Sequence, residues 1–236
     1  MIAVTSLSPA PERRDAQREA IASWRAAGLQ PQSLNHPWEC VALVDVYDVE
    51  FVPCEETTLA TFGRHCIPVN ALLAHLVKVG GPGVLLNSDI VLRLTAEQLA
   101  RFVEQCSGGL GYLVKYNHDG DESRAIREPY GIDVFVFDAS TVEVGASSLS
   151  MGQPVWDYWL PHEFLRTGRK VYTTDDRTTF HRRHLQTWDM QRWEECAAEF
   201  FRLYQISGAT TPPAMLAFFQ ELHARINAAP RLQVLL

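Results

Sequence analysis

The chain has 236 residues and a net charge of −7, and 47% of its residues are hydrophobic. This length and composition are typical of one large globular domain. The acidic balance argues against a nucleic-acid-binding protein, which needs a basic face to contact phosphates, but leaves room for a local basic pocket for a nucleotide. No apolar stretch reaches the roughly 20 residues of a membrane-spanning helix, and no basic leader opens the sequence. The five cysteines lack metal-site spacing. We therefore expect a cytoplasmic protein that binds no nucleic acid.

Strand and helix patterns alternate through the first hundred residues. Short apolar, β-branched runs predict strands, and apolar residues at helical spacing predict helices. Pro68 suits the first turn of a helix that Gly80 ends, and Thr95 with Gln98 forms a capping-box pattern at the start of the next helix. The predicted strands lie at 2–7, 30–35, 49–52 and 84–86, and the predicted helices at 12–27, 38–46, 68–79 and from 95 onwards.

The second half of the chain continues with strand and helix patterns. Its predicted strands lie at 110–115, 132–137 and 170–173, and its predicted helices at 155–167, 194–203 and 214–226. This element order favours an α/β fold with a mostly parallel, Rossmann-like sheet sandwiched by helices. No strong boundary precedes Gln205. We therefore expect one main domain over 1–205 and a helical C-terminal appendage over 206–236.

Asn87-Ser88-Asp89 directly follows the apolar run Val84-Leu85-Leu86. Such a run is typical of a strand covered on both faces, and ligands of open α/β sheets bind beyond the carboxyl ends of the strands. Oxygen ligands at that place suit a hard divalent cation such as Mg²⁺ or Mn²⁺. The three residues also favour turns, so a plain turn is the alternative.

In this triplet the chain resembles the GT-A nucleotide-sugar glycosyltransferases of the family 2 type, which carry Asp-X-Asp after an apolar strand. The resemblance extends at low similarity over roughly 1–185 and implies a GT-A-like fold. It implies that Asp89 binds Mn²⁺ or Mg²⁺, and that Asn87 coordinates the metal or hydrogen-bonds a ribose. The implied ligands are a nucleotide-sugar donor of the UDP or GDP type and a glycan or other small acceptor.

The same resemblance implies several donor contacts. The loop after the first predicted strand resembles the family loop that holds the nucleobase and ribose, which assigns Ser6 and Ser8 to the donor. Arg13 and Arg14 follow as candidates for a phosphate or the base. Asn70 opens the helix before the metal strand, a region that touches the nucleotide in the family. Solvated arginines and an ordinary helix start are the alternatives.

Asp157 lies between Trp156 and Tyr158-Trp159. Aromatic rings and carboxylates together suit a sugar, which offers apolar faces and hydroxyls. In inverting GT-A enzymes an acidic residue at the start of the matching helix is the general base, so the resemblance makes Asp157 the catalytic candidate. The alternative is a helix-start aspartate that complements the helix dipole.

Asp133 is the second catalytic candidate, because its strand resembles the family strand near the acceptor sugar. Strand alternation predicts that its carboxylate faces away from Ile132 and Val134. A carboxylate inside an apolar strand is costly unless it is paired or functional.

The segment Phe180-His181-Arg182-Arg183-His184 is predicted to follow the last strand. Many GT-A enzymes bring a late histidine to the metal. The resemblance therefore assigns His181 or His184 to the metal, and His181 is preferred because it lies nearer the predicted strand. Arg182 and Arg183 are candidates for the diphosphate. An exposed basic loop is the alternative.

The function favoured by these patterns is metal-assisted transfer of a sugar from a nucleotide-diphosphate sugar to an unidentified acceptor. A nucleotidyltransferase is the first alternative, although that class usually has a glycine-rich basic loop and the segment 6–14 contains no glycine. A catalytically inactive protein that binds nucleotides or sugars on the same fold is the second. The sequence does not predict an oligomeric state.

Overall fold

A computed structural model describes residues 1–185, 188–208 and 210–233. The strands in this part of the chain are β1 (Ile2–Thr5), β2 (Gln30–Asn35), β3 (Glu50–Pro53), β4 (Pro82–Leu86), β5 (Ile90–Leu92), β6 (Leu110–His118), β7 (Ile126–Asp138) and β8 (Val171–Arg182). The helices are α1 (Arg14–Ala26), α2 (Pro37–Leu43), α3 (Leu59–Phe62), α4 (Val69–Val79), α5 (Ala96–Gln105), α6 (Trp156–Arg166), α7 (Met190–Tyr204) and α8 (Pro212–Asn227). No helix among these residues is both long and apolar enough to cross a membrane.

The predicted strands and helices of the first hundred residues are all present, with ends that differ by a few residues. The capping box at the start of α5 is confirmed, since Thr95 Oγ1 accepts from the amide of Gln98 and Gln98 Oε1 accepts from the amide of Thr95. The sequence patterns missed β5 and α3, which are only three and four residues long. Elements this short contain too few residues to show a period.

One eight-stranded sheet runs through the described residues in the order β3-β2-β1-β4-β7-β6-β8-β5. The strands from β3 to β4 are parallel to one another. Strand β7 is antiparallel to both β4 and β6, β8 is parallel to β6, and β5 is antiparallel to β8. The sheet is therefore mixed. Six of its described strands run in one direction and β7 and β5 run in the other, so the predicted mostly parallel arrangement holds only in part. Strand β7 runs against β6 because the two are consecutive strands joined by the short connection 119–125.

Helices cover both faces of the sheet, as predicted for a helix-sandwiched α/β fold. Along β1 and β4 the side chains alternate between the two faces, so Val4 and Leu85 pack with α4 and α6 while Ala3 and Val84 pack with α1 and α5. Both faces are buried, which accounts for the continuous apolar run of β4.

Helix α8 packs into the same core as α6 and α7. Met215, Phe219, Leu222 and Ile226 are buried in the cluster that these helices share with the sheet. The ring centroids of Phe219 and Phe200 are 5.1 Å apart. The division of the chain at 205 stays a prediction, but the helix expected to be an appendage contributes four buried side chains to the core.

A bulge in β7 decides where Asp133 points. Ile132 pairs with Val114 of β6 and Val134 pairs with the preceding Leu113, so Asp133 is an extra residue without a partner on β6. Ile132 consequently packs on the face of α6, and Val134 packs on the face of α1 and α5. The prediction that Asp133 faces away from both neighbours is wrong, because the bulge interrupts the alternation on which it depended.

Candidate active site at the strand ends

A cavity of about 870 Å³ lies beside the carboxyl ends of β1 and β4. Its walls include the loops after β1 and β4, parts of β6 and β7, the segment before α6 and the start of that helix, and the end of β8 with the C-terminal helices. Glu39 of α2 and the segment 65–67 before α4 also line it. The predicted site residues that line it are Ser6, Ser8, Arg13, Asn87, Asp89, Asp133, Asp157, His181, Arg183 and His184.

Asp89, His181 and His184 meet at one point of this cavity, with one ligand atom from each lying within 4.8 Å of the others. Asp89 Oδ2 is 3.6 Å from His181 Nε2 and 3.1 Å from His184 Nε2. Strand pairing brings these residues together, because Ile90, the residue after Asp89, pairs directly with His181 across β5 and β8. Strand β8 extends to Arg182, so His181 lies within the strand and not after it as predicted. His184 follows two residues beyond the end of the strand.

The atoms of this cluster suit a divalent metal. His184 Nδ1 lies 3.0 Å from the carbonyl oxygen of Leu185, so Nδ1 donates there. Its Nε2 atom lies 3.1 Å from Asp89 Oδ2, to which it donates when the ring is charged, and it offers a lone pair to a cation when the ring is neutral. The Nε2 atoms of His181 and His184 are only 3.1 Å apart, next to the carboxylate oxygen of Asp89. Two imidazole nitrogens and one carboxylate oxygen are a common ligand set for transition metals, and a bound cation would take the place of the hydrogens that the histidines direct at Asp89.

The charges of the cluster are strongly coupled. Burial acts to raise the pKa of Asp89, but the hydrogen bonds and positive charges of His181 and His184 outweigh burial and hold that pKa well below its ordinary value. The hydrogen bond to Asp89 in turn raises the pKa of His184. Arg13 Nη1 lies 3.7 Å from Asp89 Oδ2. Asp89 is therefore ionised and available as a ligand throughout the neutral range.

A second polar group occupies the sheet side of the cavity. Lys115 Nζ lies 2.5 Å from Asp133 Oδ2, and the side-chain amide of Asn87 donates to Asp133 Oδ1 at 2.6 Å. Burial acts to lower the pKa of Lys115, but the charge of Asp133 outweighs it and raises that pKa. Lys115 was missed by the sequence analysis, although a lysine at the end of the apolar strand 110–115 was a signal of a paired or functional charge.

Asp157 has an unusual environment. It is half-buried in the first turn of α6, and burial followed by the negative charge of Asp133 raises its pKa to about 8. The positive charge of Lys115 partly opposes this rise. A carboxyl group with a pKa near neutrality inside a cavity is a feature of acid–base sites.

Three of the predicted donor residues do not line the cavity. Arg182 follows His181 on β8, and because side chains alternate along a strand it points to the opposite side; Arg183 lines the cavity in its place and pairs with Asp119 at 3.1 Å. Arg14 is one residue beyond Arg13, and such neighbours point about 100° apart around a helix.

Asn70 is the third predicted donor residue outside the cavity. It lies in the first turn of α4, whereas the chain reaches the cavity three residues earlier, at Ile67. Arg182, Arg14 and Asn70 therefore lie outside the cavity lining, and their assignment to the donor stays a prediction that this cavity does not support.

The C-terminal helices contribute a wall that the sequence analysis did not anticipate. The hydroxyl of Tyr158 lies 3.2 Å from His223 Nδ1 on α8, which joins this wall to the start of α6. The chain offered a signal for this role in the aromatic residues of its last fifty positions. The lining side chains from this region are Trp188, Trp193, Leu216, Phe219 and Gln220.

No protein-family model and no curated protein matches the chain. Among solved structures, it is similar to a protein assigned as a nucleotide-diphospho-sugar transferase from Desulfovibrio desulfuricans, with 10% identity, a TM-score of 0.42, and 95% of this chain and 96% of that chain covered. It is also similar to a mannose-1-phosphate geranyltransferase from Thermus thermophilus, with 10% identity, a TM-score of 0.38, and 98% and 68% covered. A third structure, assigned as a glucose-1-phosphate thymidylyltransferase from Bacillus anthracis in complex with a sucrose, has 9% identity, a TM-score of 0.42, and 86% and 93% covered.

Each of these three proteins is named as a transferase. Because all three TM-scores are below 0.5, the function of this chain has to be inferred from its own site. Membership of glycosyltransferase family 2 stays a prediction.

Proposed function

We propose that this chain transfers a sugar from a nucleotide-diphosphate sugar to an acceptor, with help from a divalent metal. The observation that carries the proposal is the convergence of Asp89, His181 and His184 at the strand ends, in a cavity that is also lined by Arg13. A cavity of about 870 Å³ has room for a ligand of nucleotide-sugar size.

Asp89, His181 and His184 are the residues that would hold the metal, and Asn87 lies beside them with its amide group already bound to Asp133. A bound divalent cation neutralises the charge that develops on a leaving diphosphate. Arg13 and Arg183 add two positive charges on the walls around this point and serve to hold the phosphates. Ser6 and Ser8 follow β1 and are assigned to the sugar and base of the nucleotide, whose identity stays open between UDP and GDP types.

Asp157 is the proposed general base, and it acts on the proton of the acceptor hydroxyl. Asp133 suits this role less well, because its two oxygens are occupied by Lys115 and Asn87. The charge of Lys115 favours the ionised form of Asp157 that a base requires.

A direct test of the function is to incubate the protein and Mn²⁺ with UDP- and GDP-sugars and to measure release of the nucleoside diphosphate. Metal-dependent release from one donor supports the proposal. Formation of pyrophosphate from a nucleoside triphosphate and a sugar phosphate would instead identify a nucleotidyltransferase. Donor binding without either reaction would identify an inactive binding protein.

The ligand set predicts a preference among metals. Two imidazole nitrogens favour Mn²⁺, Co²⁺ or Zn²⁺ over Mg²⁺, which prefers oxygen ligands and keeps its waters. We expect Mn²⁺ to bind at least about tenfold more tightly than Mg²⁺, as measured by calorimetry on the chelator-treated protein. Equal affinities for the two ions would argue against coordination by both histidines.

The two histidines are expected to contribute unequally. His181 is held in β8, with 13% of its side chain exposed, whereas His184 follows the strand and has 34% exposed. His181→Ala should therefore weaken Mn²⁺ binding more than His184→Ala does. His75→Ala, on α4 and outside the cavity lining, provides a control with an intact site. Negligible effects of both site variants would remove this segment from the metal site.

The raised pKa of Asp157 predicts a pH dependence of the reaction. A base must be ionised, and Asp157 is largely protonated below its pKa of about 8. We expect kcat/KM to rise with pH through this value, because kcat/KM reports the ionisation of the free enzyme. The check is a pH profile with saturating Mn²⁺, and a profile that is flat between pH 6 and about 9 would contradict the assignment.

A further inference from the structure

We propose that Asn117 and Glu128 are positioning residues that fix the tautomer of His181, so that its Nε2 atom is the one presented to the metal. The inference rests on the metal site of the proposed function and assigns a role to two residues outside the ligand set. Both residues line the cavity.

The hydrogen bonds among these residues run in one direction. Asn117 Nδ2 lies 2.8 Å from Glu128 Oε2, and because a carboxylate accepts, the amide nitrogen of Asn117 must face Glu128. The amide oxygen of Asn117 therefore faces His181, at 2.9 Å from Nδ1. An amide oxygen can only accept, so His181 Nδ1 carries a hydrogen. In the neutral ring, the form that binds a metal, the lone pair therefore lies on Nε2.

Three neighbouring strands hold this hydrogen-bond chain. Asn117 on β6 pairs directly with His181 in the parallel ladder and with Ile126 of β7 on its other side. Gly131 leaves the room that Glu128 needs, since a Cβ at that position would lie 2.8 Å from Glu128 Cγ. Strand pairing thus fixes the distances between the three hydrogen-bonded side chains before any ligand binds.

As a consequence, both histidines have Nδ1 hydrogen-bonded to the protein and present Nε2 to the metal position. The carbonyl of Leu185 holds His184 in the Nδ1–H form, and the chain from Glu128 holds His181 in the same form. In the other tautomer His181 would direct an N–H group at the metal position. Partners of this kind orient metal-binding histidines in general, and their loss typically weakens metal affinity by about 10- to 100-fold.

The experiment compares four proteins. Asn117→Leu removes the acceptor at similar size. The double variant Asn117→Asp with Glu128→Gln reverses the polarity of the pair, because the new carboxylate accepts from both His181 and the new amide. Tyr116→Phe is the matched control, since it removes a hydrogen bond to the backbone of Asp175 from the same strand. If the leucine variant does not fold, Asn117→Ser takes its place.

The measurements are the Mn²⁺ affinity and the tautomer of His181, read from long-range ¹H–¹⁵N spectra of the metal-free protein and of the Zn²⁺ complex. We expect Asn117→Leu to weaken Mn²⁺ binding by about 10- to 100-fold and to populate the Nε2–H form. The double variant and the control should keep wild-type affinity and the Nδ1–H form. A wild-type tautomer and affinity in the leucine variant, or a double variant as weak as the leucine variant, would overturn the inference.

The metal-free spectra separate this inference from the proposed function. One possible result is a wild-type protein that binds no divalent cation but shows Nδ1–H at His181, and that loses this form in Asn117→Leu. This result would support the hydrogen-bond chain and refute the metal site. A wild-type protein that binds Mn²⁺ with His181 in the Nε2–H form supports the metal site and overturns the role of Asn117.

Discussion

Asp157→Asn should lower turnover by about 100-fold or more while the affinities for donor and metal stay close to wild type. A general base acts on the acceptor, so its loss slows the chemical step without weakening contacts to the diphosphate. Asparagine keeps the size of the side chain and one accepting oxygen, but it cannot take up the proton. Turnover and donor Kd measured on the same preparation separate the two effects.

The stability of this variant gives an independent check. Asp157 has a pKa of about 8 in the folded protein against an ordinary value of 3.8, so the folded state binds more protons between these values. Stability that depends on this group is therefore lost as pH rises from about 4 to about 8. Asparagine does not titrate, so the variant should gain in melting temperature relative to wild type over this range. A variant that becomes relatively less stable as pH rises would contradict the burial of Asp157.

A matched control for this substitution is Asp138→Asn at the end of β7. Asp138 accepts from the amide and hydroxyl of Ser140 and lies outside the cavity lining, so turnover should stay unchanged. Normal turnover in Asp157→Asn with intact donor binding would exclude Asp157 from the mechanism and make Asp133 the next residue to test.

Asp89→Asn should abolish metal-dependent nucleotide binding. The carboxylate supplies the negative charge between two imidazoles and the guanidinium of Arg13, and an amide cannot replace that charge. Because this substitution removes both a ligand and its charge, it should lower the Mn²⁺ affinity more than either histidine variant does. Titration of Mn²⁺ followed by the nucleotide, with heat or melting temperature as the signal, measures both affinities.

Asp15→Asn is the control for this change of charge. Asp15 lies on α1 with 98% of its side chain exposed, so its substitution should leave metal and nucleotide binding as in wild type. Circular dichroism of the metal-free proteins verifies that Asp89→Asn is folded. Wild-type binding of Mn²⁺ and nucleotide by folded Asp89→Asn would refute the metal assignment.

The sequence was informative where local patterns and tertiary structure agree. The apolar run at 84–86 predicted a strand buried on both faces, and β4 is one. The triplet after it predicted a polar site at the strand end, and Asp89 there meets His181 and His184. The resemblance, and not any local pattern, brought those histidines into the prediction, since their separation from Asp89 carries no periodic signal.

The remaining features depend on contacts that local patterns do not report. Strand β8 was predicted to end at Thr173. Asp175, Asp176 and Arg177 interrupt its apolar pattern, yet pairing with β6 resumes at Thr179 after an irregularity. The bulge at Asp133 likewise exists only in the pairing of β7 with β6. The contribution of α8 to the cavity depends on how helices pack, which composition alone cannot predict.

The position of β5 at the sheet edge has a consequence for synthesis of the protein. Asp89 and His184 are 95 residues apart, and β5 finds its strand partner only when β8 has been made. At about 5–20 residues per second, translation of that interval takes on the order of 5–20 s. In the folded protein β5 is also bonded to α1, from Trp24 to Ile90 and from Leu92 to Ser23, and α1 is made before β5. Nascent or truncated chains that stop before β8 should therefore expose an unpaired strand edge and aggregate. Synthesis of the segment 171–184 therefore supplies both the strand partner of β5 and the last two predicted metal ligands.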